Sequence, residues 1–424
     1  MSVQTALAID AAREHLESGA IIGRFRQPSR WHYASFVQPL VSTRSPAIPS
    51  DCQLVMDSLP QETIDEIIDN LPRANLRSSS LVARRWRKRS QQHALSTILF
   101  RTQSAAKSWY ACTQNDPGGI SSYVQLAKFV HIDRWTDLAL FGRILGNSNS
   151  LTTLWIVGME VPDEVLKCVS PELGKRIIAL HLQSLWCGLS TLVSTIAVFP
   201  NLQKLLVDSF VGTSREAPST YPALPQRGSL DSLQVVGCMS GVAVAIANLQ
   251  ITSRRLVLDV NIQNIQNLLP LSSMTIVELE LQGVCSLCED HENISDDFTD
   301  ISVWSISHAI NLPPFPALTS LKIIVPGRPP SPHLVNTLSS ISSVPALVSI
   351  TLKRWPQPNP GSDIPTTWNG LDGWLARVAK NATIEGGLLL TLARWPENLA
   401  PEVLPEFREV GKIITTPLYP KTRQ

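Results

Sequence analysis

The sequence predicts an α/β chain: a short block of three helices, then an array of helix–strand units whose strands form one curved parallel sheet. Three observations predict it. An apolar-x-x-apolar-x-apolar pattern recurs at a near-constant interval from about residue 150 onward. Several copies are entered through a proline that follows an apolar helical stripe. Charged residues make up only 17% of the 424, so much of each element must face other protein.

A chain of 424 residues exceeds the size at which one compact core keeps growing, so separate units or an elongated array are expected. Its 31 prolines point to many chain reversals and few long helices. The formal net charge of +1 gives no global attraction for nucleic acid or an anionic membrane, and neither is expected as a partner. Seven scattered cysteines are not a disulfide framework, which suits a reducing compartment, cytoplasmic and/or nuclear. The N-terminus carries Asp10, Glu14 and Glu17 without an apolar run, so no secretory signal is read. Residues 177–203 lack Asp, Glu, Lys and Arg and match a membrane span in length. They also contain His181, Gln183, Ser184, Pro200 and Asn201, and both ends fit the strand pattern. A buried strand–helix–strand unit is the expectation.

Residues 1–53 read as a loosely ordered leader, with an amphipathic stretch over residues 6–16 and prolines at Pro28, Pro46 and Pro49. Order is expected from residue 54. In the run from Ser58 to Ile64, Pro60 suits the first helical position, and Glu62 falls where the helix dipole favours an acid. Ile64, Ile67, Ile68 and Leu71 then share one stripe, with Asp65, Glu66 and Asp69 facing away, and Pro72 closes the helix. A second helical stretch places Leu76, Leu81, Val82 and Trp86 among Arg84, Arg85, Arg87, Lys88 and Arg89. A third apolar group, Leu95, Ile98, Leu99 and Phe100, ends the block at residue 100.

These residues resemble the F-box motif, most closely the version common in fungal F-box proteins. The match runs through Leu59-Pro60, Glu62, Ile64, Ile67-Ile68, Leu71, Leu76, Ser80-Leu81-Val82, Trp86 and Leu99-Phe100. Ala83 stands where many members have cysteine. The resemblance implies docking onto the Skp-type adaptor of a cullin-RING ubiquitin ligase. It implies adaptor-binding roles for Leu59, Pro60, Ile64, Ile67, Ile68, Leu71, Leu81, Val82 and Trp86. So small a helical motif buries too little surface to stand alone, and helix-in-groove docking would complete it.

Residues 101–120 are polar and end in Asn115-Asp116-Pro117-Gly118-Gly119, and they read as a linker. The repeat domain is expected over 121–415, with a tail over 416–424. Its pattern falls at Leu151/Leu154/Ile156, Ile177/Leu180/Leu182, Leu202/Leu205/Val207 and Leu230/Leu233/Val235. It recurs at Ile276/Leu279/Leu281, Leu318/Leu321/Ile323 and Leu347/Ile350/Leu352, with weaker copies at Ala127/Val130/Ile132 and Ser253/Leu256/Leu258. Successive starts from 151 to 276 are separated by 26, 25, 28, 23 and 23 residues. Phe199-Pro200-Asn201-Leu202, Phe315-Pro316-Ala317-Leu318 and Val344-Pro345-Ala346-Leu347 share a proline entry. Leu189, Val193, Ile196 and Phe199 align with Leu334, Leu338, Ile341 and Val344 as the preceding stripe. The unit is helix, proline, strand, and it resembles the irregular leucine-rich repeats of F-box proteins. The consensus asparagine of those repeats is largely absent, so their side-chain ladder is not implied.

The interval from 276 to 318 holds an acidic insertion, 285–300, expected to be a solvated surface loop. Cys285, Cys288 and His291 within it are a metal-like set lacking a second pair, and no metal or other cofactor is expected. The run from Arg84 to Arg89 reads as the solvated face of the helix that buries Trp86 rather than a nuclear address. Asn293 and Asn381 match glycosylation sequons at chance frequency. No nucleophile elbow, phosphate loop, dinucleotide fingerprint or paired-histidine metal motif is present, so catalysis is not expected. The expected function is that of a substrate-recognition subunit of an SCF-type ubiquitin ligase, holding an unknown target protein on the repeats. The alternative is a repeat scaffold acting outside a ubiquitin ligase, its helical block merely capping the array.

Overall fold

The computed structural model describes residues 59–72, 84–115, 119–158, 163–212, 229–238, 240–259, 265–282, 313–325, 343–354, 369–382, 387–393 and 404–416, with short pieces at 75–76, 79–80, 336 and 338–341. It divides into two compact units, one of residues 1–97 and 118–124 and one of 98–117 and 125–424.

In the first unit, α1 (Gln61–Asp69) starts after Pro60, which sits at the N-cap rather than one residue inside the helix. Helix α2 (Arg84–Leu95) buries Trp86 and Ser90 and leaves Arg84, Arg85, Arg87 and Lys88 exposed, as the stripe predicts. The 3₁₀ turn Ile120–Tyr123 packs against α2.

The second unit opens with β1 (Thr97–Phe100). Ile98 and Phe100 point inward and Leu99 is exposed, a strand's period of two where the sequence showed only a third apolar group. The stretch read as a linker contains a helix, α3 (Gln103–Thr113), N-capped by the Thr102 side chain. Its polar surface hid it, since only Ala106 and Thr113 are buried. It is tied into the unit because Gln103 Oε1 accepts from the Thr136 amide at 2.9 Å and Asn147 Nδ2 donates to Thr113 Oγ1 at 2.9 Å.

The chain then runs β2 (Leu126–Val130), α4 (Ala139–Asn147), β3 (Thr153–Val157), α5 (Asp163–Lys167), α6 (Pro171–Arg176) and β4 (Ala179–Gln183). Next come β5 (Trp186–Cys187), α7 (Leu189–Ala197), β6 (Lys204–Asp208), β7 (Val211–Gly212), β8 (Leu230–Val236), α8 (Ser240–Asn248), β9 (Ser253–Asp259) and α9 (Ile265–Ser272). Beyond these lie β10 (Glu278–Gln282), β11 (Ser320–Val325), β12 (Ser349–Arg354), α10 (Asn369–Asn381), β13 (Leu389–Ala393), α11 (Pro405–Arg408) and β14 (Lys412–Thr416). Among the described residues twelve strands form one sheet in sequence order, and β5 and β7 pair separately. Every pairing from β2 to β14 is parallel. The fold is a solenoid of helix–strand units.

The predicted pattern sets the register. Leu154, Leu180, Leu205, Leu233, Leu256, Leu279, Leu321 and Ile350 occupy one row across the strands, and all are buried. The residues two further on form a second inward row. The weak copy at 127 is shifted: Ala127 and Phe129, not Val130 and Ile132, pair with Leu154 and Ile156. Strands β13 and β14 lay outside the predicted series because Gly387 and Thr415 stand where other units carry an apolar residue. Opposite the sheet, α4 and α7 bury Leu140, Phe141, Ile144, Leu192, Val193 and Ile196. At the N-terminal end the aliphatic core becomes aromatic. Phe129 lies 5.1 Å from Phe100, 5.8 Å from Trp135 and 4.8 Å from Phe141. Large rings fill this end of the stack, where β1 flanks β2.

A backbone device closes successive units. His131, Gly158, Ser184 and Ser209 each follow a strand and adopt positive φ. Their amides donate to the carbonyls of Val157, Gln183, Asp208 and Val236, each the last residue of the following strand, at 2.7–3.2 Å. This ladder needs no consensus asparagine. At Gly158 the turn also needs glycine, since φ is 145° and a Cβ would lie 3.0 Å from the His131 backbone. Gly174 in α6 serves the opposite side, where a Cβ would meet the Val198 carbonyl.

Residues 177–203 form β4, β5, α7 and the entry to β6, the strand–helix–strand unit expected. Among the described residues no helix is long and apolar enough to cross a membrane. The insertion at 285–300 and its Cys285, Cys288 and His291 lie outside the described residues, as does the leader. Strand β10 pairs β11 directly across the insertion's interval.

Candidate protein-interaction surfaces

The first candidate is the helical unit. Among the described residues its core is a cluster of Ile64, Ile67, Ile68, Leu76 and Trp86, with Leu59, Leu71 and Ala94 packed at its edge. Ile64, Ile67, Ile68 and Trp86 are at most 2% exposed, so they shape the unit, and the accessible residues lie at its rim. Pro60 is exposed and Leu59 and Leu71 are half-buried, while Leu81 and Val82 lie outside the described residues. The Trp86 indole N–H is buried without an acceptor. Beside it, Ser79 Oγ donates to the Leu76 carbonyl at 2.8 Å and lies 2.9 Å from Ser90 Oγ, which holds α2 to the preceding segment.

Polar contacts fix the angle of α1 against α2. Arg85 Nη2 donates to the Leu59 carbonyl at 2.9 Å, anchoring the entry to α1. Arg89 reaches both oxygens of Asp69, at 2.8 and 2.6 Å, and His93 Nε2 lies 2.8 Å from Asp69 Oδ1. The hydrogen bond from Arg89 holds the Asp69 carboxyl below its usual range.

The second candidate is the outward face of the sheet. Its middle row runs Lys128, Trp155, His181 and Leu206 on β2, β3, β4 and β6, then Gln234, Val257, Glu280 and Lys322 on β8 to β11. The two stretches differ in charge. On β9 to β11 the charges answer one another. Glu280 is 2.7 Å from Lys322 and 3.9 Å from Arg255, Arg255 is 3.5 Å from Glu278, and Gln282 Nε2 donates to Glu280 at 3.0 Å. Glu280 is 7% exposed and is satisfied by these groups. On β2 to β6 basic and aromatic groups prevail. The Lys128 ammonium lies 3.5 Å from the Trp155 ring centroid, and that ring lies 5.3 Å from the His181 ring. These outward residues were missed in the sequence, although each is simply the x between the last two apolar positions of its unit. Among the described residues no group of His, Cys, Asp and Glu is arranged to hold a metal.

A small helical module with Leu59, Pro60 and Leu71 at its rim, and a parallel helix–strand solenoid with a polar outward row, are the two candidate surfaces of the chain. The helical module is an F-box domain: the family model described as F-box domain matches residues 56–95. No curated protein matches the chain. Solved structures similar to it include "Crystal structure of Rad7 and Elc1 complex in yeast", at 13% identity and a TM-score of 0.30, covering 86% of this chain and 94% of that one. At that score the likeness carries no argument, and the solenoid rests on its own strand order and register.

Proposed function

We propose that the chain is a substrate-recognition subunit of an SCF-type cullin-RING ubiquitin ligase. Its F-box docks a Skp-type adaptor, and the open face of its sheet holds a target protein. The F-box at residues 56–95 carries this reading. A unit with one small core cluster has a thin margin of stability, and a partner covering Leu59, Pro60 and Leu71 would extend it. No side chain of this chain performs chemistry in the proposed role. The target is held near a ubiquitin-charged enzyme recruited by the rest of the complex, which raises effective concentration. The scattered cysteines suit action in the reducing cytoplasm or nucleus.

The test mixes the full chain with a Skp-type adaptor and reads complex formation by light scattering. A one-to-one complex is expected from the native chain, with at least tenfold weaker binding by Leu59→Asp while exchange protection in α1 and α2 persists. Absence of a complex with the native chain overturns the proposal.

A further inference from the structure

The basic run from Arg84 to Arg89 divides between two faces of α2. Arg85, Arg89 and His93 fall four residues apart and form one stripe, which meets both ends of α1. Arg84, Arg87 and Lys88 fall off that stripe and are exposed. At one end Arg89 and His93 hold Asp69, the last residue of α1. At the other end Arg85 reaches both sides of Pro60. Its Nη2 donates to the Leu59 carbonyl at 2.9 Å and its Nε to Gln61 Oε1 at 3.3 Å. Gln61 Nε2 in turn donates to Asp65 Oδ1 at 2.8 Å, so the Gln61 amide is oriented from two directions.

The helix itself does little to fix this entry. Pro60 occupies the N-cap, has no amide hydrogen, and no side chain caps α1. The backbone hydrogen bonds of α1 begin at the Pro60 carbonyl, which accepts from the Ile64 amide at 3.2 Å, so the Leu59 carbonyl lies outside them. Leu59 is half-buried at the edge of the core cluster and Pro60 is exposed, so the shape of this rim depends on the backbone that joins them.

Resting on the adaptor-docking reading, we propose that Arg85 is a positioning residue for the adaptor contact, fixing the Leu59–Pro60 rim before docking. Arginine suits the task because one planar fork can serve acceptors on both sides of the proline, whereas a lysine ammonium is a single point donor. A rim ordered in advance spares the complex the cost of ordering it, so the effect falls on affinity.

The full chain and a Skp-type adaptor, titrated by calorimetry, test this. Arg85→Ala should bind about fivefold more weakly, while exchange protection at Ile64, Ile67 and Ile68 persists. Arg85→Lys, which keeps one donor for the Leu59 carbonyl, should recover part of the loss. Arg87→Ala removes the same charge from the exposed face and should bind within about twofold of the native chain. When Leu59 is already alanine, the loss from Arg85→Ala should shrink to about twofold, because the side chain it holds in place is gone. Full additivity of the two substitutions would mean that Arg85 touches the adaptor itself, and would overturn the inference. So would native affinity of Arg85→Ala, an equal loss in Arg87→Ala, or lost protection in α1. A native chain that forms no complex overturns the ligase reading and this inference together. A complex that Arg85→Ala leaves unchanged contradicts this inference alone.

Discussion

The two units of this chain stabilise themselves in opposite ways. The F-box gathers Ile64, Ile67, Ile68 and Leu76 around one indole, Trp86. The solenoid spreads its core along rows, where Leu180 of β4 pairs with Leu154 of β3 and Leu205 of β6, and each unit is buried only by its neighbours. One cluster fails as a whole when its centre is lost. A row loses one contact layer and keeps the rest.

Trp86→Ala should show this most strongly. Truncating a buried Trp costs about 3–5 kcal/mol, comparable with all that so small a unit can hold. Hydrogen exchange should then show α1 and α2 unprotected while β3 to β10 keep their protection. Retained protection in α1 would mean that the F-box does not depend on a single cluster.

Leu180→Ala sharpens the other side. The site is fully buried between two strands, so a cost of about 2–5 kcal/mol is expected in chemical denaturation. The loss should centre on β3, β4 and β6, leaving β11 to β14 as protected as in the parent. Uniform loss across the sheet would show that the solenoid unfolds as one unit rather than by neighbours.

Asp372 probes a buried polar link inside the solenoid. Its carboxylate in α10 accepts from the amides of Glu406 at 2.9 Å and Phe407 at 2.8 Å, capping α11 at a site only 2% exposed. Asp372→Ala orphans two amides and should cost about 1–3 kcal/mol, with exchange rising first in α11.

Asp69→Asn is the smallest effect. The Asp69–Arg89–His93 contacts are over a third exposed, so about 0.2–1 kcal/mol is expected, diminished by salt. Because the folded carboxyl titrates below its ordinary value of 3.8, its contribution is present above that value. It is lost as pH falls through the folded value, and the variant should lack this acid-side component of the denaturation profile.

The solenoid was legible because its signal is periodic. The rows through Leu154 and Ile156 recur at a fixed interval, and a one-residue slip would turn every apolar residue outward. The units that escaped notice broke the pattern at one position each, Gly387 at β13 and Thr415 at β14, while the unit at β2 keeps it as Val124, Ala127 and Phe129 and was read three residues late. Helix α3 escaped because two buried residues give no stripe. In the F-box the stripe identified the core, and the sequence alone did not separate core residues such as Ile67 from rim residues such as Pro60. That distinction depends on where α2 lies, which tertiary packing decides. The outward row of the sheet was hidden for the reverse reason. Lys128, Trp155 and His181 share no chemistry, and only the strand register brings them together.

In the proposed complex the F-box unit, and not the sheet, meets the adaptor. Hydrogen exchange of the full chain with and without a Skp-type adaptor tests it most directly. New protection is expected only within residues 59–95, strongest at the entry to α1 beside Leu59 and Pro60. Protection appearing instead on the outward face of β2 to β6, with residues 59–95 unchanged, would contradict it.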